Sequence, residues 1–537
     1  MSLIDIKFEN RRQFLEQAAE MFIARRQLDK AAQAVEMLMT EYPADAKILL
    51  LRVRLFDLCS DYQNVIADGE KALSMKGLSP KDTMMLHNII AMAYDNIGSI
   101  DQAAKHYRLS TRVDLKPIKD ETLRTELIDD RREDYSNYLF ALHRLPPSSI
   151  TDEKLFNAVK NYDNLYGGIK RFKHKPRHHD RIKVGYISPD LRAHVAGYFA
   201  AAFFTHHDRD QFEVIGYAAC TEDDFSEELK RRADGWRNIK GDAPLTAAQK
   251  IFEDELDILV DLSGHTSHNC LPILAYKPAP VQISGVGWIG STGLRAVDYF
   301  LVDRYTVPDK SGEKFFTEKV IRLPHSHFCY RPHADVEIGE APCRANGVIT
   351  FGSFNNFSKV TDEQLSLWAK IMSAVDGARL LIKSTVFNTK YVLQIASERL
   401  TAAGLDLDRV TLEGGSNYDG YLRRMRDVDI MLDSYPYVGG GTTCDALYMS
   451  VPVISLAGER HGTRFGLSFL SNVGAEELCA SSAEEYVDKA IELANDFDRL
   501  ERYHRTLRAS MEQSPLMDAA AYMSDVEAAY RRLLDAR

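Results

Sequence analysis

The spacing of apolar positions changes character once along the chain. From about residue 10 to 115 it follows a helical period, with amphipathic segments at 18–25, 50–59 and 86–97. Each is followed by a similar short stretch: Leu28-Asp29-Lys30-Ala31, Tyr62-Gln63-Asn64-Val65 and Ile100-Asp101-Gln102-Ala103, whose last residues are 34 and 38 apart. The third unit is the clearest, with Ala91, Tyr94 and Gly98 followed by Ala103 and Tyr107. Helices continue over 116–165, broken at Pro146-Pro147. From Ile182 onward short apolar runs alternate with helical patterns. Strands are expected at 182–187, 212–218, 258–262, 281–285 and 299–302. After a segment with Pro324, Pro332 and Pro342, more follow at 347–351, 379–383, 410–412, 430–432 and 451–456.

Strands alternating with helices imply parallel, doubly wound sheets, with the working residues on the loops after the strand ends. In the first half those loops carry His194, His265 and the turn from Gly290 through Thr292 to Gly293. In the second half the stretch at 424–458 is the focus. A strand ending at Asp433 leads to Gly439, Gly440 and Gly441, then Thr442 and Thr443, then a helix expected from Cys444. A glycine turn feeding a helix N-terminus presents unpaired N–H groups and the positive end of a dipole, which suits phosphate. Asp445, expected in the first helical turn, could accept hydrogen bonds from a ribose. Three glycines between strand and helix are common in α/β proteins that bind nothing there. The turn also lacks both the G-x-G-x-x-G spacing and the Gly-Lys-Ser/Thr ending of a P-loop.

At 537 residues the chain exceeds a single core. Its 45% hydrophobic and 27% charged content is that of an ordinary globular protein, and a net charge of −11 argues against general nucleic-acid binding. No apolar run of about 18 residues suggests a membrane span. Seven cysteines without paired spacing suggest reduced thiols in a cytoplasmic protein. The basic run at 170–183 is expected to be a solvated linker, docking of an acidic partner being the alternative. Its histidines His174, His178 and His179 lack the company of a metal site. Asp427-Val428-Asp429 imitates a D-x-D metal motif, but it precedes a buried strand and is set aside. The domains expected are 1–115, 116–180, 181–340 and 341–537.

The N-terminal period near 34 resembles the tetratricopeptide repeat, whose concave face holds extended peptide. A bracing helical domain is the plain alternative. Four runs further on resemble the catalytic half of the O-linked N-acetylglucosamine transferases, in the same order: KVGYISPDLRAHVAGYF (183–199), DILVDLSGHTSHNCLPILAYKPAPVQISGVGWIGSTG (257–293), FGSFNNFSKV (351–360) and the stretch at 420–464. The resemblance implies a GT-B fold, two Rossmann-like domains facing a cleft, behind an all-α tetratricopeptide-like domain. It also implies an inverting transferase without metal or other cofactor, moving N-acetylglucosamine from a UDP-sugar to Ser or Thr of a protein. Lys359 matches the lysine that neutralises the donor phosphates, where a fixed cation favours the transition state. Asp445 matches the ribose-binding acid, and Thr442, Thr443, Gly440 and Gly441 match the diphosphate cradle. Asn356 stands in place of a glutamine, and Tyr421 in place of a histidine packed near uracil. His194 matches an active-site histidine that is either base or substrate-shaping residue. His265, Gly290, Thr292 and Arg464 are candidates for the acceptor or sugar side, with a structural role for His265 left open. Two rivals stand beside this reading: a related Asn-linked hexosyltransferase and a catalytically silent repeat scaffold. Dimerisation is left open.

Overall fold

The computed structural model describes residues 11–176 and 178–536. The chain divides into two compact units, residues 1–142 with 386–398, and residues 143–385 with 399–537.

In the first unit six helices form successive pairs: Arg11–Ala24 with Leu28–Glu41, Ala46–Leu58 with Tyr62–Leu73, and Pro80–Asn96 with Ile100–Ser110. The second helix of each pair begins at one of the three residues aligned in the sequence: Leu28, Tyr62 and Ile100. The repeat extends to the backbone of the turns. Arg26, Ser60 and Gly98, each two positions before its second helix, are all left-handed, with φ of 53°, 55° and 82°. Only glycine takes that conformation freely; the other two carry about 1 kcal/mol of strain each, held by the packing around them. That packing is apolar. Leu15, Ala19, Ala31, Val35, Leu38, Ile48 and Leu55 form one cluster, and Leu49, Val53, Val65, Ala72, Leu86 and Ile90 form the next.

The second unit holds two parallel sheets. The first contains β1 (Ile182–Ser188), β2 (Phe212–Ala218), β3 (Gly235–Asn238), β4 (Ile258–Asp261), β5 (Val281–Ser284), β6 (Tyr299–Asp303) and β7 (Lys319–Leu323), in the order β3-β2-β1-β4-β5-β6-β7. The second contains β8 (Thr350–Ser353), β9 (Arg379–Lys383), β10 (Val410–Glu413), β11 (Ile430–Leu432), β12 (Val453–Leu456) and β13 (Cys479–Ala480), in the order β10-β9-β8-β11-β12-β13. In both, strand order reverses beside the first strand, between β1 and β4 and between β8 and β11. Two Rossmann-like sheets with a helical repeat region before them are the GT-B architecture that the sequence implies. Three edge strands escape the hydrophobic pattern. β3 reads Gly-Trp-Arg-Asn and exposes half its residues, β7 is only partly buried, and β13 has two residues.

Two residues of the basic run at 170–183 are held against neighbouring elements of the first sheet. Phe172 stacks on Phe252 at 4.5 Å, and His179 meets Asp257 at 3.0 Å. The final helix, Ala519–Asp535, crosses back to the first sheet. Tyr530 and Tyr186 approach oxygen to oxygen at 3.4 Å, Tyr522 donates to the carbonyl of His327 at 3.0 Å, and Glu527 accepts from the Asp208 N–H at 2.8 Å.

Candidate active site

Ligands of open α/β sheets bind beyond the C-terminal strand ends where strand order reverses. At those two places the loops after β1, β4, β8 and β11 carry most of the residues singled out in the sequence.

After β11 the buried carboxylate of Asp433 organises the glycine turn. One oxygen accepts from the N–H groups of Ser434 (2.9 Å) and Gly439 (2.8 Å) and from Asn355 Nδ2 (3.2 Å); the other accepts from Ser455 Oγ at 2.8 Å. Gly439 tolerates no side chain, because a Cβ there would lie 2.4 Å from Thr443 Oγ1. The helix that follows runs Gly441–Tyr448, with Gly440 at its N-cap and no side-chain cap. It therefore begins three residues earlier than the sequence suggests, the local reluctance of two β-branched threonines being overridden by packing. This corrects the place of Asp445, which lies beyond the first turn. The outward-facing N–H groups belong to the Gly441-Thr442-Thr443 turn, where an anion is favoured.

Asp445 is buried, and its surroundings are phenolic. Tyr330 and Tyr418 each donate to Oδ1 at 2.8 Å, and Tyr421 also bonds the carboxylate. Burial pushes the Asp445 carboxyl up to about 6, against the lowering effect of the three tyrosines. Tyr421 also lies 5.7 Å from the ring of Phe354. Beside it the His333 ring is sandwiched between Tyr198 (3.7 Å) and Tyr418 (3.5 Å), so this part of the cleft is lined by aromatic faces.

Lys359 ends the short 3₁₀ turn Phe357–Lys359 after β8. Asn356 caps this turn by accepting from the Ser358 N–H at 3.1 Å, which gives the amide a structural task as well. The Lys359 ammonium stands 4.2 Å above the ring centre of Tyr437. Burial draws its pKa down to about 8, the nearby Arg144 lowering it further and Asp433 opposing. Arg144, from the end of the helix Glu121–Arg144, places Nη1 3.3 Å from Ser358 Oγ.

His194 is the N-cap of the helix Val195–Thr205 after β1. Its Nδ1 accepts from the Ala196 N–H at 3.2 Å and lies 3.5 Å from Asp190, leaving the ring half-exposed. The next residue, Val195, meets the glycine turn: a Cβ at Gly441 would lie 2.7 Å from Val195 Cγ1. The first-sheet loop bearing His194 and the second-sheet glycine turn thus come together.

The remaining candidates form a tied loop. His265 is buried, its Nε2 lies 2.8 Å from the Thr292 carbonyl, and burial lowers its pKa to about 4, so the ring is neutral at ordinary pH. Thr292 donates its N–H to Glu318 at 2.8 Å, and Ser291 donates its hydroxyl there at 2.7 Å. Gly290 passes close to His143, a Cβ falling 3.1 Å from its Cε1. Arg464 donates to the carbonyls of Tyr305 and Gly458, both at 2.9 Å, and so braces backbone. The D-x-D triplet is structural. Asp429 accepts from the N–H groups of Cys343 (2.9 Å) and Thr350 (2.8 Å), while Asp427 pairs with Arg424 at 2.6 Å. Among the described residues no group of three or more His, Cys, Asp or Glu is placed to hold a metal ion.

Sequence reasoning did not find Arg144, Tyr330, Tyr418 or Tyr437, and treated Asp433 only as a strand end. Arg144 and Tyr330 reach the site from distant parts of the chain and nothing local marks them, whereas Tyr437 lies two residues before Gly439 and Tyr418 three before Tyr421. Asp433 carried a signal: an acidic residue closing a buried strand immediately before a glycine turn.

The model of glycosyl transferase family 41 matches residues 167–336 and 343–526. The chain belongs to glycosyl transferase family 41. A relative from Solanum lycopersicum, named probable UDP-N-acetylglucosamine–peptide N-acetylglucosaminyltransferase SPINDLY, is 35% identical over 416 residues, covering 75% of this chain and 44% of that protein. Its namesake from Oryza sativa subsp. japonica is 36% identical over 417 residues, again covering 75% and 44%. This family 41 chain thus spans less than half the length of these relatives. A solved O-GlcNAc transferase of Thermobaculum terrenum, a point mutant, is similar over 98% of both chains, with 26% identity and a TM-score of 0.82.

Proposed function

We propose that this family 41 chain is an inverting protein glycosyltransferase that needs no metal. It moves a sugar, N-acetylglucosamine, from a UDP donor to a Ser or Thr hydroxyl of a protein held by its helical repeats. One observation carries the reading: Lys359, the uncapped helix at Gly441 and the tyrosine-lined Asp445 converge where strand order reverses in the second sheet. The names of the relatives support the choice of donor.

The chemistry follows from this arrangement. The acceptor oxygen bonds to the anomeric carbon as the bond from that carbon to the diphosphate oxygen breaks. Negative charge gathers on the departing UDP, where the Lys359 ammonium and the helix N–H groups stabilise it. Asp445 and the tyrosines around it take the ribose hydroxyls, and Tyr421 offers its face to the base. The hydroxyl proton leaves on the first-sheet side, where His194 either receives it or shapes the pocket. Positive charge from Lys359 does the work that a divalent ion does in D-x-D enzymes, and here Asp429 is held by backbone N–H groups. The free cysteines agree with work in a reducing, cytoplasmic setting.

Mass spectrometry of a model acceptor peptide after incubation with separate UDP- and GDP-sugars tests this proposal. N-acetylhexosamine on Ser or Thr from the UDP donor is the expected result. A hexose on Asn, or transfer only from a GDP-sugar, would replace it.

A further inference from the structure

The basic run that follows the helices is left without a task by the transferase reading. From Lys170 to Lys175 it holds four cations, Lys170, Arg171, Lys173 and Lys175, and no acid. A solvated linker would be free of its surroundings, and this stretch is not. Besides stacking on Phe252, Phe172 donates its N–H to the Tyr276 carbonyl at 2.8 Å, and His174 Nε2 lies 2.8 Å from the Lys277 carbonyl. Burial alternates to match: Phe172 and His174 are half-buried, while Arg171, Lys173 and Lys175 are exposed. The anchored side chains therefore hold a row of cations toward solvent.

Those cations are not used up within the fold. Among the described residues the side chains of Lys170, Lys173 and Lys175 form no ion pair or hydrogen bond. Arg171 comes within 4.0 Å of the Asp163 carboxylate, which already accepts from the N–H and the guanidinium of Arg295 at 2.9 and 2.6 Å. Arg295 is itself 77% exposed, so it extends the same patch from the loop before β6. Neighbouring cations repel one another, and an anionic partner relieves that repulsion. Because the segment is already held, little ordering entropy is lost when a partner binds.

The net charge of −11 narrows the choice of partner. Duplex nucleic acid and anionic membranes carry charge well beyond the reach of this patch, and the rest of the surface repels them. A short acidic stretch of polypeptide meets the patch alone, since more distant charges are screened beyond about 10 Å. We infer that residues 170–175, together with Arg295, form a docking surface for an acidic segment of a partner protein, held by Arg171, Lys173 and Lys175. None of these residues belongs to the proposed donor site, so docking and sugar transfer are separable.

Fluorescence anisotropy of a short labelled oligoglutamate peptide with the full chain, at low and at physiological salt, tests this surface. Wild type is expected to bind the peptide, more weakly as salt rises, and Lys173→Gln/Lys175→Gln to bind it about five- to tenfold more weakly. A control, Lys76→Gln/Lys370→Gln, removes exposed lysines elsewhere and should match wild type within about twofold. Lys173→Arg/Lys175→Arg keeps the charge and should also bind as wild type does. No binding by wild type at low salt, or equal binding by the Lys173→Gln/Lys175→Gln variant, would overturn the inference. So would a loss in the control equal to that in the Lys173→Gln/Lys175→Gln variant, which marks net charge alone, or an equal loss in the arginine variant, which marks a structural effect. Duplex DNA or phosphatidylserine vesicles bound more tightly than the peptide would overturn it in favour of a nucleic-acid or membrane partner.

Discussion

Two ionisable side chains of opposite sign set the pH window expected of the proposed donor site. Lys359 is drawn down to about 8, chiefly by burial, so its positive charge is lost as pH rises through that value. Asp445 is pushed up to about 6, also by burial, so its carboxylate is lost as pH falls through that value. The profile of kcat/KM for the donor should therefore be bell-shaped, with limbs near 6 and 8. A bound diphosphate holds the lysine proton more tightly, so the alkaline limb of kcat should lie higher. A Lys359→Arg variant, charged throughout, should lose the alkaline limb; a limb that persists would point to another group. Asp433 belongs to the same scale. With four hydrogen bonds converging on it, Asp433→Ala is expected to cost about 3 kcal/mol of stability. It should also raise the donor KM about tenfold, measured by urea titration and initial rates; an unchanged KM would detach the glycine turn from donor binding.

At the scale of elements, the contact between two helix N-termini matters most. Gly441 opens one helix and Val195 the other, and a methyl group on the first would fall 2.7 Å from the second. Gly441→Ala should hold the two loops apart and cut kcat/KM about tenfold. Adding Val195→Ala, which removes the opposing methyl, should restore most of the loss. A double mutant no better than the single one would mean that the backbone at Gly441, and not this approach, requires glycine.

The elements also show what the sequence made legible. The period of 34 to 38 residues located the second helix of each repeat, because the buried positions and the left-handed turns at Arg26, Ser60 and Gly98 recur with it. The central strands were legible because burial on both faces makes them continuously apolar. β3, β7 and β13 were not, since edge strands need no such run. His194 and the glycine turn could be singled out because each lies in a loop after a strand end, while Lys359 was singled out by the resemblance of its stretch to the transferases. Arg144 and Tyr330 arrive through tertiary folding alone, and no local pattern announces that. The helix start at Gly441 was misplaced because threonine's preference for extended backbone is weaker than the packing that overrides it.

For the molecule as a whole, the final helix ties the end of the chain to the first sheet. Tyr522, Met523, Val526 and Tyr530 are all buried there, and Glu527 caps the backbone at Asp208. Tyr530→Ala is expected to cost about 3 kcal/mol, read as a lower midpoint of chemical denaturation. A shift within error would mean that the helix is held by its ends only.

The most direct test of the central claim is UDP release from a panel of UDP-sugars in the presence of EDTA, comparing wild type with Lys359→Ala. Release from UDP-N-acetylglucosamine by wild type, lost by two orders of magnitude or more in the variant, is the predicted result. Release that requires added divalent ion, or that survives the loss of the lysine, would contradict it.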